Sequence, residues 1–384
     1  MNKIFFILKK IVIFFSPLIK FLIKIYRNKI FVAIKYSLIL FKSIIQFSDS
    51  KITILKRPKF SNQVIRSPSF DYSNFSICFQ GPFYNPFTLD TIKIYRKMFG
   101  NIAIILATWK ETLDNEIVSE LTKLNVEILS LQPPKTSFTF VKGFNATTLQ
   151  IFSTLEALKK SKEKKILFAV KHRTDQRALE PDWLYRLYFL QKKFSDKNDI
   201  LTDRILVVAS STMKNRIYGI GDQFHFGYTE DLLKFWNLPY FIDGVDELVK
   251  NEKQTSPFVI NDTAVFSETY LMSKFLKING YKLKWTLEDY WSALQKYFLI
   301  FDDSYIDFIW EKYDSKITVH PKQYLEKFDH EFNYEENYSN GMSFSDWLIL
   351  NQCEHNSLPW KKIEQEKWIN NNPNGLPPYF KKIN

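Results

Sequence analysis

The chain of 384 residues is 45% hydrophobic and 17% aromatic, which excludes a disordered protein and allows a large domain with a sizeable core. Its two cysteines, Cys78 and Cys353, exclude a disulfide-stabilised small fold and a multi-cysteine zinc site, and they indicate a reducing compartment. The formal net charge of +12 is concentrated in residues 1–47, which contain nine Lys or Arg and no acid.

Residues 1–47 are apolar and basic throughout, and their longest uncharged stretch, 11–19, contains Pro17. A membrane-spanning helix needs roughly 20 apolar residues, so this region is not expected to span a membrane. Lysines continue through the apolar region without a small-residue cleavage site, which argues against a signal peptide. On a helical wheel every basic residue except Lys29 shares one sector. We therefore predict amphipathic helices on an anionic membrane surface; the alternative is a nucleic-acid arm, which would not need so many large apolar residues.

Residues 48–70 are predicted to be a linker, residues 71–315 an α/β domain, and residues 316–384 a C-terminal extension with weak periodicity. Short apolar runs predict strands at 75–79, 102–107, 126–129, 166–170 and 205–209. Helical spacing predicts helices at 88–99, 115–124, 147–160, 230–236, 267–278 and 286–298, and one that begins at residue 183. Thr286 and Asp289 have the spacing of a capping box. This alternation predicts a mainly parallel sheet flanked by helices.

Polar residues follow three of the predicted strands. Gln80-Gly81 follow the first, Thr108-Trp109 the second, and the fourth continues into Lys171, His172, Arg173, Asp175 and Arg177. The carboxyl ends of parallel strands meet at one edge of the sheet, where α/β proteins bind nucleotides. A carboxylate among cations suits a metal ion and a phosphate together, although a solvated charged turn explains the pattern equally well. Dinucleotide, P-loop and hydrolase motifs are absent from the sequence.

Several segments resemble, in order, the WavE lipopolysaccharide synthesis family. They are ICFQGPF at 77–83, TLDTIKIYRKMFG at 88–100, IILATW at 104–109, KHRTDQR at 171–177, GDQFHFGYTEDLLKFW at 221–236, and Asp303 followed by WEKY at 310–313. The similarity covers about residues 75–315. It implies a glycosyltransferase with a GT-A-like nucleotide-sugar fold that builds bacterial surface glycans.

In a GT-A-like enzyme, an Asp-x-Asp motif at a strand end holds a divalent cation on the donor diphosphate. The resemblance places Arg173-Thr174-Asp175 at that position, with an arginine where the first acid is usual. Asp175 is therefore expected to bind one Mg²⁺ or Mn²⁺ beside phosphate oxygens. The alternative is that Lys171, Arg173 and Arg177 neutralise the leaving phosphate without metal.

Glycosyl transfer to a hydroxyl with inversion needs a carboxylate or histidine as base near the acceptor, and Asp222 is the first candidate because glycine and aromatic residues surround it. Glu268 is the second candidate. Each acid is also explained by a role at the start of a helix. His225 is either an acceptor contact or a half-buried structural histidine.

The remaining candidates concern the donor nucleoside. Gln80, Thr108 and Trp109 are expected to hold the base and ribose, although Trp109 also fits a core position. Asn145 is either a donor contact or part of the N-terminal cap of the 147–160 helix.

Three functions are compatible with these observations. The first is a glycosyltransferase that transfers sugar from a nucleotide-sugar donor to a lipid-linked oligosaccharide at the cytoplasmic face of the bacterial inner membrane. The second is a nucleotidyl- or phosphotransferase acting on glycan precursors. The third is a non-enzymatic membrane-associated interaction protein. Nucleic acid is not an expected partner.

Overall fold

The computed structural model describes residues 70–134, 144–209, 212–214, 217–239, 267–284, 286–311 and 341–358, which all belong to one compact unit, Ile65–Asn384. The predicted amphipathic segment and the linker up to residue 69 lie outside the described residues. Among the helices described, none has the length and apolar character needed to cross a membrane.

The described residues form nine strands, eight α-helices and three short 3₁₀ helices. The strands are β1 (Phe75–Gln80), β2 (Ala103–Trp109), β3 (Val126–Leu131), β4 (Phe168–Arg173), β5 (Gln176–Ala178), β6 (Ile205–Val208), β7 (His225–Tyr228), β8 (Phe298–Phe301) and β9 (Phe308–Trp310). The helices are α1 (Phe87–Phe99), α2 (Asn115–Lys123), α3 (Phe144–Glu163), α4 (Trp183–Lys193), α5 (Thr229–Trp236), α6 (Ser267–Ile278), α7 (Leu287–Tyr297) and α8 (Phe344–Gln352). The 3₁₀ helices are Lys110–Thr112, Asp303–Tyr305 and His355–Ser357.

Seven strands form the main sheet in the order β3-β2-β1-β4-β7-β6-β8, and β5 pairs with β9 in a separate small sheet. In the main sheet β7 runs antiparallel to both neighbours, whereas the other pairs are parallel. Strands β1, β6 and β8 are buried at every residue, as expected when helices cover both faces of a sheet. The prediction of a mainly parallel sheet flanked by helices is confirmed.

Four strands were not predicted, namely β5, β7, β8 and β9. Strand β8 begins at Phe298, directly after α7 ends at Tyr297. Its apolar residues therefore continue the spacing of the helix, and the sequence shows no turn between the two elements. Half of the predicted capping box of α7 is present: the Thr286 hydroxyl accepts a hydrogen bond from the Asp289 amide at 3.2 Å, whereas the Asp289 carboxylate accepts from the Tyr281 hydroxyl and the Lys284 amide.

The predicted boundaries of β4 are wrong. The strand spans Phe168–Arg173 rather than 166–170, and Leu167 is half exposed ahead of it. Lys171 and His172 lie inside the strand, fully buried. Buried polar groups need hydrogen-bond partners, and both side chains have them, so the charged run does not end the strand.

Part of the predicted C-terminal extension packs against the edge of the sheet. Helix α8 contacts β8 and α7, and the Trp347 indole donates to the Phe298 carbonyl at 3.0 Å. The Ser343 and Asp346 side chains form a capping box at the start of α8.

Candidate functional site

The carboxyl ends of β1 and β4 lie side by side at the point where the strand order reverses. From β1 the chain continues to β2 and β3 on one side, while β4 pairs on the other, with Gln80 opposite Arg173. Open α/β sheets bind ligands in the crevice at such a switch point. The structure thus brings the predicted residues Gln80, Gly81, Arg173 and Asp175 to one place.

Gly81 allows the two turns after β1 and β4 to approach closely. Its φ of +114° is a conformation that residues with a side chain rarely adopt, and a Cβ there would lie 3.0 Å from Thr174 Oγ1. The Thr174 amide donates to the Gln80 carbonyl at 3.1 Å. The floor of the crevice is therefore backbone held against backbone.

Arg173 and Asp175 form a bidentate pair beside Trp310. Arg173 Nε donates to Asp175 Oδ1 and Nη2 to Oδ2, both at 2.9 Å. The Trp310 indole also donates to Asp175 Oδ2 at 2.9 Å, and the Arg173 guanidinium lies 5.0 Å from the centre of the Trp310 ring. Strand β9 positions the tryptophan, because Trp310 pairs with Gln176 of β5.

The two charges of this pair stabilise each other. Burial favours the neutral form of each side chain, but the Arg173 guanidinium and the Trp310 indole outweigh burial and lower the pKa of Asp175. Burial likewise opposes the charge of Arg173, yet the Asp175 carboxylate raises the pKa of the guanidinium further above its usual range. Both groups are therefore charged at neutral pH.

Asp175 does not fit the expected role of metal ligand in this arrangement. The residue is 2% exposed, and both carboxylate oxygens accept hydrogen bonds from Arg173 or Trp310. A cation would have to displace Arg173, and breaking a buried ion pair costs about 3–5 kcal/mol. Among the residues that the structure describes, His, Cys, Asp and Glu side chains form no group of three or more that could hold a metal ion.

The segment that carries Asp222 enters the sheet at the same edge, directly before β7. The fully buried Lys171 donates from Nζ to the carbonyls of Asp222 and Gln223 and lies 5.0 Å from the centre of the Trp236 ring. Burial lowers the pKa of Lys171 to about 7, and the nearby Asp222 carboxylate partly offsets that effect. Asp222 itself is half-buried.

Two further side chains fix the backbone of this segment. Gln150 of α3 donates to the Asp222 carbonyl at 3.0 Å. His225 Nε2 donates to the Gly221 carbonyl at 2.7 Å, and His225 Nδ1 accepts from the Trp236 indole at 3.1 Å. His225 is fully buried, and burial lowers its pKa to about 3. It is therefore a neutral structural histidine and not an acceptor contact.

A family model for WavE lipopolysaccharide synthesis matches residues 76–372, which is most of the chain. The chain belongs to the WavE lipopolysaccharide synthesis family. Membership connects it with lipopolysaccharide synthesis, and the match extends from β1 past α8. A search of curated proteins gives no match.

Within this WavE chain, Thr108 and Trp109 are the last residues of β2 and do not follow it. Thr108 Oγ1 lies 3.1 Å from Thr112 Oγ1. Trp109 is 6% exposed and stacks on Phe152, with ring centres 6.5 Å apart. These contacts favour the core interpretation of Trp109 over a role in binding the donor base.

Arg177 lies on β5 and bonds to the first turns of α1. Its Nε donates to Thr91 Oγ1 at 2.8 Å and its Nη2 to the Phe87 carbonyl at 2.9 Å. The guanidinium also lies 4.2 Å from the centre of the Phe87 ring. Arg177 thus connects the small sheet to α1.

The remaining two candidates lie at helix starts. Glu268 is the second residue of α6 and half-buried; the neighbouring Ser267 Oγ lies 2.5 Å from Thr147 Oγ1, which places the start of α6 beside α3. Helix α3 begins at Phe144, so Asn145 lies inside the helix and not ahead of it. The side chain of Asn145 is outside the described residues.

The sequence did not predict that Trp310 and Gln150 contact the residues of the candidate site. Trp310 belongs to the WEKY segment that carries the family resemblance, but nothing in its position along the chain indicates contact with Asp175. Gln150 lies on the buried side of α3. A polar residue on a buried helix face usually has a hydrogen-bond partner, and this pattern could have indicated its contact with another segment.

Proposed function

We propose that this chain is a glycosyltransferase that moves a sugar from a nucleotide-sugar donor to a growing lipopolysaccharide or other cell-surface glycan. The observation that carries the proposal is the Arg173–Asp175 pair at the β1/β4 switch point, where Arg173 ends β4 opposite Gln80 of β1. Membership of the WavE family supports a role in lipopolysaccharide synthesis.

The sheet supports a GT-A-like form of this function. Its strands β3-β2-β1-β4 have the order of a dinucleotide-binding sheet. The antiparallel β7 and the small β5–β9 sheet then distinguish it from a doubly wound dehydrogenase fold. Because β7 is antiparallel to β4 and begins opposite Lys171, the Asp222 segment before it lies at the carboxyl end of β4, and β9 places Trp310 against Asp175.

The chemistry requires a base and a group that stabilises the leaving phosphate. We assign the base to Asp222, whose carboxylate would accept the proton of the acceptor hydroxyl as its oxygen bonds to the anomeric carbon. The bond between that carbon and the donor phosphate oxygen breaks as the new bond forms, and its electron pair leaves on the phosphate of the nucleotide. Arg173 would stabilise the charge that develops on the phosphate. Gln80 and Gly81 form the floor beneath the donor.

The acceptor in this proposal is a lipid-linked oligosaccharide at the cytoplasmic face of the bacterial inner membrane. Residues 1–47, with nine cations and no acid, suit adsorption to anionic lipid. Deleting residues 1–47 should release the protein from vesicles containing anionic lipid in a sedimentation assay. If the truncated chain still sediments with the vesicles, the anchor lies elsewhere.

The deciding experiment is a thermal-shift measurement of the full chain with UDP-, GDP-, CMP- and dTDP-sugars. We expect one nucleotide class to raise the melting temperature, and the same donor to be consumed when a membrane extract supplies the acceptor. Pyrophosphate release from a nucleoside triphosphate would instead indicate a nucleotidyltransferase. Stabilisation by none of these nucleotides would indicate a non-enzymatic protein.

A further inference from the structure

We propose that Arg173 itself supplies the positive charge for the donor phosphate, held in place by Asp175 and Trp310, so that donor binding needs no divalent cation. This inference rests on the proposed function, because it assigns the charge that such a donor requires. It gives Asp175 a positioning role in place of the metal-binding role expected from the sequence.

The first argument is that both carboxylate oxygens of Asp175 already accept hydrogen bonds. Three hydrogen bonds reach its two oxygens, two from Arg173 and one from Trp310. The Glu311 amide also donates to the Asp175 carbonyl at 2.9 Å, so the backbone of the acid is held as well. A hard cation prefers carboxylate oxygens that are free to coordinate it.

The second argument is that the arginine keeps unused donors. A guanidinium has five N–H groups, and the bidentate pair with Asp175 uses two, which leaves three for a ligand. The Arg173 side chain is 23% exposed while the Asp175 side chain is 3% exposed. The carboxylate fixes the orientation of the guanidinium plane. The remaining N–H groups, on Nη1 and Nη2, form a planar pair of donors that matches the geometry of phosphate oxygens.

The third argument concerns the other cations of the same segment. Lys171 is fully buried and bonded to the carbonyls of Asp222 and Gln223. Arg177 is bonded to α1 through Thr91 and Phe87. Of the three Lys and Arg side chains in the KHRTDQR segment, Arg173 is therefore the one that combines a place at the end of β4, opposite Gln80, with a carboxylate that fixes its direction.

The test measures nucleotide binding to the full wild-type chain by calorimetry, using UDP, GDP, CMP and dTDP as probes. Each titration is performed in EDTA and again with Mn²⁺ or Mg²⁺. We expect the Kd of the preferred nucleotide to agree within about threefold between these conditions. A Kd that rises tenfold or more in EDTA would overturn the inference while leaving the proposed function intact. Binding of no probe in either condition would count against both.

Variants test the arginine without leaving a buried charge unpaired. The double variant Arg173→Gln with Asp175→Asn removes both charges, and we expect its Kd to rise about 10- to 100-fold, the loss of a charge-assisted hydrogen bond. The matched control is Arg186→Gln with Glu180→Gln, since Arg186 Nη2 donates to Glu180 Oε1 at 2.7 Å and the guanidinium lies 6.0 Å from the Tyr305 ring centre. The control pair should keep the wild-type Kd.

Asp175→Asn alone separates a positioning role from metal ligation. The asparagine can still accept a hydrogen bond from Arg173, so we expect a smaller rise in Kd than in the double variant and no dependence on metal. Binding that is wild-type in EDTA but loses a Mn²⁺-dependent gain would show that Asp175 is a metal ligand. Circular dichroism melting of each variant confirms that a loss of binding is not a loss of fold.

Discussion

Arg173 and Arg177 are four positions apart, and their guanidinium groups have different surroundings. Arg173 lies at the end of β4, at the switch point, and pairs with the carboxylate of Asp175. Arg177 bonds to a backbone carbonyl and a hydroxyl of α1, Phe87 and Thr91. The pKa of Arg177 is lowered by burial, whereas Asp175 raises that of Arg173 despite burial.

The difference shows that a run of charges does not give the number of ligand-binding groups. A cation that satisfies backbone carbonyls contributes to the fold, as Arg177 and Lys171 do. A cation whose direction is set by a carboxylate, and which lies at the ends of parallel strands, is placed to bind a ligand. Asp222 combines both roles in one residue. Its carbonyl accepts hydrogen bonds from Lys171 and Gln150, which fixes the backbone, while the residue remains half-buried.

The largest effect should come from Asp222, the proposed base. We expect Asp222→Ala to lower turnover by about 10²- to 10⁴-fold, the usual contribution of a general base, with the donor Kd and the melting temperature nearly unchanged. Single-turnover kinetics with saturating donor measure this directly. Asp222→Asn, which keeps the size and removes the charge, should lose as much. Turnover within threefold of wild type would remove Asp222 from the chemistry.

Arg177 tests the opposite side of the comparison. Arg177→Met keeps much of the volume and removes the donors, so we expect the free energy of unfolding to fall by about 3 kcal/mol from the lost charge-assisted hydrogen bonds. Urea denaturation measures the loss. The nucleotide Kd should stay within about twofold, and a weakened Kd at unchanged stability would place Arg177 with Arg173.

Gly81 tests whether the crevice floor must be backbone. Gly81→Ala should cost about 2 kcal/mol, from its positive φ together with the contact to Thr174 Oγ1. The matched control is Gly100→Ala, where φ is +58° and a Cβ would meet nothing within 4 Å. The control should lose about 1 kcal/mol and keep nucleotide affinity. Equal losses in the two variants would mean that the approach to Thr174 is unimportant.

The smallest effect concerns pH and the two buried histidines of the sheet. Burial lowers the pKa of both His172 and His225 from 6.5 to about 3. Above pH 6.5 both histidines are neutral in the folded and in the unfolded chain, so the protein has its full stability there. As pH falls from 6.5 towards 3, the histidines gain protons in the unfolded chain only, and stability is lost progressively. Between pH 7.5 and 5.5 we expect a loss of about 1 kcal/mol for each histidine, measured by urea denaturation. A flat profile would show that water reaches the rings.

The sequence predicts the parallel half of the sheet well, because β1 to β4 are apolar runs separated by amphipathic helices. It misses β7, whose four residues HFGY include a histidine and a glycine. A buried histidine in a strand looks polar until its partners are known, here Gly221 and Trp236. Periodicity contains no information about those partners.

The candidate site divides in the same way. Chain order predicts that Gln80, Gly81 and Arg173 meet, since parallel strands end at one edge. It does not predict the direction of each side chain, so Trp109 and Arg177 were expected to contact the donor although they pack against Phe152 and α1. The long-range contact from Trp310 decides how Asp175 is used, and it depends on the folded topology.

The position of Trp310 has a consequence for the order in which a newly made chain becomes competent. Asp175 and Trp310 are 135 positions apart, whereas β1 to β4 are complete once residue 173 has been synthesised. Domains form from the N-terminal side during translation, and pairings between distant residues wait for the later segment. A nascent or prematurely terminated chain that stops before β9 therefore has the strand ends of the crevice without the tryptophan beside its arginine.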